Sequence, residues 1–399
     1  MKKILLLGGS AQQVIAVETA KRLGYATVLC DYLPDNPGQF AADRFYLVST
    51  TDKEAVLEVA QKEQIDGILA YASDPAAPTA AYVAERLGLP GNPYQSVEIL
   101  CNKDKFRAFL AENGFCTPKA KGYASVEEAK KDIEGGYFRF PIIVKPVDSS
   151  GSKGATVLEN ANGFIDAVQF ALSFSRSNRF IVEEYIVKKH PYLIGGDIFV
   201  KDGTIKLWGL LNCHRDQKVN PLVPVGKSYP PSLDAQDEQS VKETLQRLVT
   251  ELHIQNCGMN VELIIDSSGK VYPIDIGPRN GGNMIPDLLC DIFGVDVVEA
   301  AVKAAMGEAF SIVPKKPKMC FATYNLHSAK NGRYDEVFFS GEIEPYIYRK
   351  CIYKKTGDLV EYFDNASKCL GIVFMCFDSM EQMLKMMDHS EKWIEVKLQ

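Results

Sequence analysis

The sequence predicts an α/β N-terminal domain built on a parallel sheet, followed by an α+β domain and a small C-terminal α+β region. Strand and helix patterns alternate through residues 3–100, as they do where helices join parallel strands. Beyond that point, pairs of alternating apolar runs flank short polar turns, which is typical of antiparallel strands. A chain of 399 residues is long enough for two or three domains, and we expect them at 1–100, 101–311 and 312–399.

The N-terminal domain begins with the apolar run Lys3–Leu7, which leads into a glycine-rich turn and an amphipathic helix. Further strands are predicted at Thr27–Cys30 and Gly67–Ala70, with helices near 52–62 and 76–87. The carboxyl ends of parallel strands lie along one edge of the sheet, where ligands bind. Polar and small residues that follow these strand ends are therefore candidate substrate contacts: Gly9, Ser10, Gln12, Ser73 and Asp74.

A glycine-rich turn after the first strand is also found in dinucleotide-binding domains. Here the turn reads GGSAQQ and lacks the GxGxxG spacing. Asp31, after the second strand, resembles a ribose-binding acid, but an Asp at this place is common in any α/β sheet. A nicotinamide-dependent dehydrogenase therefore remains a less favoured alternative.

The second domain opens with a predicted hinge helix at 102–113. Strands at 141–145 and 155–158 enclose the loop 148–154, DSSGSKG, which we call the flap. Its small residues allow backbone N–H groups to approach phosphate oxygens, although alone it is more typical of a flexible surface loop. Lys145 ends the apolar strand before the flap, and a lysine in apolar surroundings needs an anion. A nucleotide phosphate beneath the flap would provide one.

The strand Phe180–Tyr185 ends in Glu183 and Glu184 and is followed by Ile186. Backbone groups and a carboxylate at a strand end can bind the edge of an adenine, while an isoleucine packs on its ring. The same residues fit a strand that leaves the core toward solvent. Both interpretations stay open on these residues alone.

Two strands, at 193–200 and 204–212, are predicted next, followed by a polar loop and a long helix near 236–252. His214 and Arg215 come directly after the second of these strands. They are candidates for contact with a γ-phosphate or with an acceptor substrate, although a single His–Arg pair is weak evidence.

The segment Asn260–Asn283 is predicted to be a β-hairpin that carries two acids, Glu262 and Asp275, among apolar residues. Side chains alternate faces along a strand, so both carboxylates can lie on one face. Two carboxylates in an apolar sheet repel each other unless a cation lies between them. Arg279 and the Gly281–Gly282 pair follow at once. The hairpin therefore predicts a divalent metal beside a polyphosphate.

The order of these elements resembles the ATP-grasp superfamily of carboxylate–amine and carboxylate–thiol ligases over roughly residues 1–310. Its N-terminal domain is similar to the one in phosphoribosylglycinamide synthetase, the phosphoribosylaminoimidazole carboxylase ATPase subunit and the carbamoyl-phosphate synthase large chain. The resemblance is carried, in chain order, by Lys103, Lys145, the flap, the strand end EEYI, Glu262, Asp275 and Arg279.

The resemblance implies a role for each matching position. Lys103 and Lys145 are expected to hold the α- and β-phosphates of ATP, with Arg279 and Lys145 as the catalytic cations. The acids at 262 and 275 are expected to bind Mg²⁺, with Mn²⁺ as an alternative. One departure is Gly277, where the family often has an Asn that also binds the metal. Other nucleotide contacts implied by the resemblance are Ser149, Ser150, Gly151, Ser152 and Gly154 in the flap, and Glu183, Glu184 and Ile186 at the adenine.

The implied function is an ADP-forming ligase that activates a small-molecule carboxylate as an acyl phosphate for attack by an amine. An ATP-binding protein of the same fold without ligase activity is the alternative. A net charge of −6 and a pI near 5.6 argue against a nucleic-acid partner. Ten cysteines without a CxxC pair indicate reduced thiols in the cytoplasm, and no run approaches a membrane span. Homodimers are common in the resembling families.

Overall fold

The computed structural model describes residues 1–399. The N-terminal domain contains a four-stranded parallel sheet in the order β3-β2-β1-β4. Alternate residues of β1 pack on opposite faces: Ile4 and Leu6 contact one helical layer, and Leu5 and Leu7 the other. Burial on both faces explains the unbroken apolar run of this strand. Its elements are β1 (Lys3–Leu7), α1 (Val14–Arg22), β2 (Ala26–Asp31), α2 (Gly38–Ala41), β3 (Arg44–Leu47), α3 (Lys53–Glu63), β4 (Gly67–Leu69), α4 (Ala77–Leu87) and α5 (Tyr94–Cys101).

A small antiparallel sheet in the order β5-β8-β6-β7 follows the hinge helix α6. The flap joins β6 to β7, as predicted. Phe164 and Val168 of α8 pack under the sheet against Val144 and Val182, which fixes the base of the flap. Elements of this part are α6 (Lys103–Glu112), β5 (Ala120–Tyr123), α7 (Val126–Glu134), β6 (Ile142–Pro146), β7 (Thr156–Leu158), α8 (Phe164–Leu172) and β8 (Phe180–Glu184).

A large antiparallel sheet of eight strands, ordered β13-β12-β9-β10-β11-β14-β18-β16, faces the small sheet across the candidate site. The predicted hairpin is β12 and β13, and Glu262 lies directly opposite Asp275 in its register. This confirms the predicted pairing of the two acids. The elements are β9 (Leu193–Lys201), β10 (Thr204–Asp216), β11 (Asn220–Tyr229), α9 (Ala235–Glu251), β12 (Cys257–Ile265), β13 (Val271–Gly277), α10 (Ile285–Phe293) and α11 (Val297–Ala305).

The C-terminal region does not form a sheet wholly of its own. Three of its strands, β14, β18 and β16, extend the large sheet, while β17, β15 and β19 form a separate three-stranded sheet. Its elements are β14 (Cys320–Leu326), β15 (Gly332–Phe339), β16 (Ile347–Ile352), β17 (Leu359–Val360), β18 (Gly371–Phe377), α12 (Met380–Asp388) and β19 (Ile394–Leu398).

The expected polar loop after residue 212 was wrong. Strand β10 continues to Asp216, and β11 pairs with it. Val223 and Val225 are buried in the C-terminal core, so the alternating pattern of a strand is present. Pro221 and Pro224 obscure it, because proline cannot donate a ladder hydrogen bond. Pro224 lies opposite Arg215, where the register of the β10–β11 pair is irregular, and β11 pairs with β14 only from residue 226 onward.

No helix in the structure combines the length and apolar character needed to cross a bilayer. All ten cysteines are free thiols.

Candidate active site

A cavity of about 450 Å³, which we call the first cavity, lies between the flap, the small sheet and the large sheet. Eleven charged, polar or apolar side chains singled out from the sequence line it together. They are Lys103, Lys145, Ser149, Ser150, Ser152, Lys153, Ile186, His214, Arg215, Glu262 and Asp275. Motifs that are far apart along the chain thus line one cavity, and its volume is typical of small-molecule sites.

The flap lies closed over this cavity. Lys103, at the start of α6, donates from Nζ to the Ser149 carbonyl at 2.6 Å. The Ser152 hydroxyl donates to the Leu222 carbonyl at 2.9 Å, and the flap carbonyl of Gly151 accepts from the Ala366 N–H at 3.4 Å. These contacts join the flap to the hinge helix on one side and to β11 and the C-terminal region on the other. Gly151 and Gly154 belong to the flap without lining the cavity.

Lys145 is buried and forms a 2.8 Å ion pair with the Glu183 carboxylate. Arg107 of the hinge helix binds the same carboxylate at 3.0 Å. Glu183 is therefore fully engaged behind the cavity wall and does not line the space. Glu184 does not line the first cavity either, and its carboxylate accepts from the Arg139 N–H at 2.9 Å. Of the predicted adenine residues, the structure brings Ile186 to the cavity.

Part of the lining of the first cavity is apolar. Ile143 of β6, Tyr185 and Ile186 line it from the small sheet, and Ile264 and Ile274 line it from the hairpin. The two isoleucines of the hairpin flank the acids in sequence, being two residues after Glu262 and one before Asp275. Apolar side chains from the small sheet and from the hairpin thus line one space together with polar groups, which suits an aromatic base.

The opposed acids line the same cavity. Asp275 is half-buried, its carboxylate accepts no hydrogen bond from the protein, and the Lys103 ammonium is 3.9 Å away. Glu262 uses only Oε1, which lies 3.3 Å from Arg215 and 3.7 Å from Lys227. Burial alone would raise the pKa of Glu262, but these two cations hold it below its ordinary value. Both acids thus line the cavity with carboxylate oxygens that accept no hydrogen bond from the protein, a donor set that fits Mg²⁺ when water completes its octahedron.

Arg279 is held by Asp74 across the boundary between the N-terminal domain and the hairpin. Its Nε donates to Asp74 Oδ1 at 2.8 Å, and a second guanidinium nitrogen contacts Oδ2. The charge of Asp74 raises the pKa of Arg279 although burial opposes it. Gly277 makes room for this pair, because a Cβ at that position would lie 2.5 Å from Asp74 Oδ1. The position without the expected metal ligand is therefore filled by an ion pair.

The remaining predicted contacts have other partners. His214 lines the cavity but is buried, with Nε2 2.8 Å from the Ser228 hydroxyl and Nδ1 3.3 Å from Asp388. Burial lowers its pKa. The Gly9 N–H donates to Asp31, whose other oxygen accepts from the Leu33 N–H, so Asp31 organises the turn. Ser10 and Gln12 line a second cavity, whereas Ser73 lines neither.

Three residues of the site were missed by sequence reasoning. Arg107 donates to the carbonyls of Pro273 and Ile274 as well as to Glu183. A signal for it exists, because it falls on the buried face of the hinge helix between Phe106 and Leu110. Lys227, which lies 3.7 Å from Glu262, was missed because strand β11, on which it lies, was not predicted. Asp197 is buried and accepts from the Gly281 N–H at 2.7 Å, but a single Asp inside a strand gave no distinguishing signal.

Comparison with known proteins agrees with this arrangement. Residues 138–287 match the family model described as ATP-grasp domain, and residues 17–91 match the ATP-grasp N-terminal domain. The chain therefore contains an ATP-grasp domain preceded by its N-terminal domain, which confirms the resemblance and the fold class.

A formate-dependent phosphoribosylglycinamide formyltransferase of Prochlorococcus marinus (strain NATL2A) is 31% identical over 188 residues, which cover 46% of this chain and 48% of that protein. The chain thus spans about half the length of the curated relatives of this kind that it matches. Phosphoribosylglycinamide synthetase from Anaerococcus prevotii superposes with a TM-score of 0.75 at 20% identity over all of both chains. The biotin carboxylase domain of Hydrogenobacter thermophilus 2-oxoglutarate carboxylase, solved with MgADP, gives 0.74 at 17% identity over 100% of this chain and 91% of that one.

Replacing Gly277 by alanine is expected to disrupt the Asp74–Arg279 pair, because the new methyl group would overlap Asp74 Oδ1. We expect a loss of about 1–3 kcal/mol in the free energy of unfolding, measured by urea denaturation. Gly341→Ala is the matched control, since no atom lies within 4 Å of a Cβ at that position. In Asp74→Ala/Gly277→Ala the two losses should not add, because both act on one carboxylate. Additive losses would contradict the overlap.

The Glu183 cluster makes stability depend on acid pH. Burial would raise the pKa of Glu183, but the charges of Arg107 and Lys145 outweigh it and lower the pKa to about 2. The corresponding stabilisation is complete above the unfolded pKa of about 4.3 and is lost as the pH falls toward the folded value. Between about pH 5 and pH 3, the difference in unfolding free energy between wild type and Glu183→Gln should shrink by on the order of 2 kcal/mol. Glu112→Gln is the control, because it removes an exposed carboxylate that forms no ion pair; equal profiles for all three proteins would refute this role.

Proposed function

We propose that this chain is an ATP-dependent ligase that activates a small-molecule carboxylate as an acyl phosphate and transfers the acyl group to an amine, releasing ADP and phosphate. The observation that carries the proposal is the first cavity, in which two lysines and the closed flap face the free carboxylate oxygens of Glu262 and Asp275. The ATP-grasp matches support it. Within this proposal, residues 1–100 contribute substrate contacts, 101–311 bind ATP and 312–399 close the site.

The binding of ATP follows from the lining of the cavity. The adenine would lie between the apolar side chains of Ile143 and Ile186 and those of Ile264 and Ile274. Its phosphates would point toward Lys103 and Lys145, beneath the flap. Glu262 and Asp275 would hold Mg²⁺, with Mn²⁺ as an alternative, and the metal when bound neutralises phosphate charge.

The first chemical step joins the carboxylate to phosphate. A carboxylate oxygen attacks the γ-phosphorus of ATP, the bond from that phosphorus to the β–γ bridging oxygen breaks, and ADP leaves with the bond electrons. Negative charge spreads over the transferring group, and Lys145 and Arg279 stabilise it. Asp74 fixes the guanidinium plane of Arg279 beforehand, so little reorientation is needed during reaction.

In the second step an amine attacks the acyl carbon, a new C–N bond forms, and the C–O bond to the phosphate breaks. The amine loses a proton and inorganic phosphate leaves. An acyl phosphate reacts readily with water, and the flap, held at Ser149, Gly151 and Ser152, excludes it. The ten free thiols fit a cytoplasmic enzyme, and a homodimer is the assembly that we propose by analogy with the resembling families.

A second candidate is an ATP-binding protein without ligase activity. Gly277 favours it, because the site offers two carboxylates where the family often adds an Asn. In that case ATP acts as an effector and no acyl phosphate forms.

Turnover distinguishes the two candidates. Purified protein with ATP and Mg²⁺ is screened against carboxylates and amines, and ADP and phosphate release are measured together with single omissions. We expect release that needs both a carboxylate and an amine, because only the pair completes the reaction. Tight ATP binding with no pair-dependent release across the panel would refute the ligase and support the effector.

Variants of Lys145 and Glu262 test whether these charged residues of the first cavity act in catalysis. Lys145→Met and Glu262→Gln should each lower kcat at least about 100-fold, because each removes a charge that stabilises the transferring phosphoryl group or holds its metal. Lys130→Met and Glu112→Gln, exposed charges outside the cavity, are matched controls that should keep full activity. Thermal unfolding verifies that all four variants fold. A folded Glu262→Gln with kcat near wild type would exclude the metal role of Glu262.

A further inference from the structure

A second cavity, of about 570 Å³, lies beside the Gly281–Gly282 turn that follows the hairpin. We infer that it binds the amine substrate, and that this substrate is a primary amine with an apolar body and no phosphate group. The inference rests on the proposed function, because it identifies the nucleophile of that reaction. The cavity is formed jointly by the N-terminal domain, the hairpin turn with α10, and the C-terminal region.

The charge of the cavity excludes phosphate. Sixteen residues line it, with no lysine, arginine or histidine among them, and Asp287 is the one charged residue. Arg349 binds Asp287 at 3.3 Å, but it also binds Asp291 at 2.8 Å. Two carboxylates thus share one guanidinium, so acidic side chains outnumber the cation beside the cavity. A phosphorylated ligand would be repelled there, whereas a protonated amine would be attracted.

The surface of the cavity is otherwise mostly apolar. Met284, Pro286, Cys351 and Cys369 line it from α10 and the C-terminal region. Tyr71 lines it from the N-terminal domain, and its hydroxyl makes no hydrogen bond to another protein group. A hydroxyl without a protein partner can bond to a polar ligand atom. An apolar body with one polar end matches this lining.

The cavity also lies next to the proposed chemistry. Gly281 follows Arg279 by two residues, and its N–H is fixed by buried Asp197. On the other side, Ala366 lines the cavity and donates its N–H to the flap at Gly151. The flap therefore lines the first cavity and contacts a lining residue of the second, which places the two cavities close together.

Isothermal titration calorimetry at neutral pH tests the ligand class, with and without a non-hydrolysable ATP analogue and Mg²⁺. Hexylamine is the apolar amine, and O-phosphoethanolamine is the amine that carries a phosphate. We expect hexylamine to bind at least about tenfold more tightly. Equal or tighter binding of O-phosphoethanolamine, or no binding of hexylamine, would overturn the inference.

Two variants locate the amine. Asp287→Asn should weaken hexylamine binding about tenfold by removing the lining charge, while 1-hexanol binding stays unchanged. Asp202→Asn is the matched control, because it removes an exposed carboxylate that lies outside the cavity. Equal effects of the two variants on hexylamine would overturn the site. If the ATP analogue binds and hexylamine does not, the amine site is refuted and the proposed ligase function is not. If the analogue fails to bind, the proposed ligase function is refuted. Titrations without nucleotide then still show whether the second cavity binds hexylamine.

Discussion

The geometry of the site depends on the ion pairs that the buried Glu183 carboxylate forms. This carboxylate binds Lys145 of β6 and Arg107 of the hinge helix, and Arg107 in turn donates to the carbonyls of Pro273 and Ile274 in β13. Three separate elements that build the first cavity are thereby fixed to one group. A buried ion pair gives little net stability, but removing one partner leaves an uncompensated charge at a cost of about 3–5 kcal/mol. The cluster therefore fixes the position of Lys145 more than it stabilises the fold.

The two cavities are linked by contacts that cross the predicted domain boundaries. Asp74 holds Arg279, α11 packs on the parallel sheet through Val298 and Val302, and Ala366 reaches the flap. The N-terminal domain and the C-terminal region thus act on the hairpin from opposite sides. The Asp74–Arg279 ion pair therefore connects the N-terminal domain directly to the segment that follows the hairpin.

Local patterns predicted much of this structure, and long-range contacts explain the rest. The hairpin register that opposes Glu262 and Asp275 followed from strand alternation and a turn, both of which are local. Strand β11 was missed because Pro221 and Pro224 suppress the local signal, and its pairing with β10 and β14 is decided by burial. The engagement of Glu183 by Arg107, 76 residues away, also lies outside local pattern. Charged residues on an apolar helix face, such as Arg107, are the clue that a sequence does offer.

Gly277 illustrates how a missing residue changes the meaning of a site. By its position in the sequence, Gly277 replaces an expected metal ligand. In the structure, the absence of a side chain at 277 leaves room for the Asp74 carboxylate to bind Arg279. An Asn at 277 and the Asp74–Arg279 pair cannot occupy that space together, since even a Cβ would meet Oδ1 at 2.5 Å. The arrangement therefore sets two cavity-lining carboxylates near an arginine that is fixed by a third. Asp74 binds the guanidinium of Arg279 through both of its carboxylate oxygens, and the Asn280 carbonyl accepts from the same group at 3.1 Å. The N-terminal domain therefore helps to fix the orientation of Arg279, and a side chain at 277 would remove that contact.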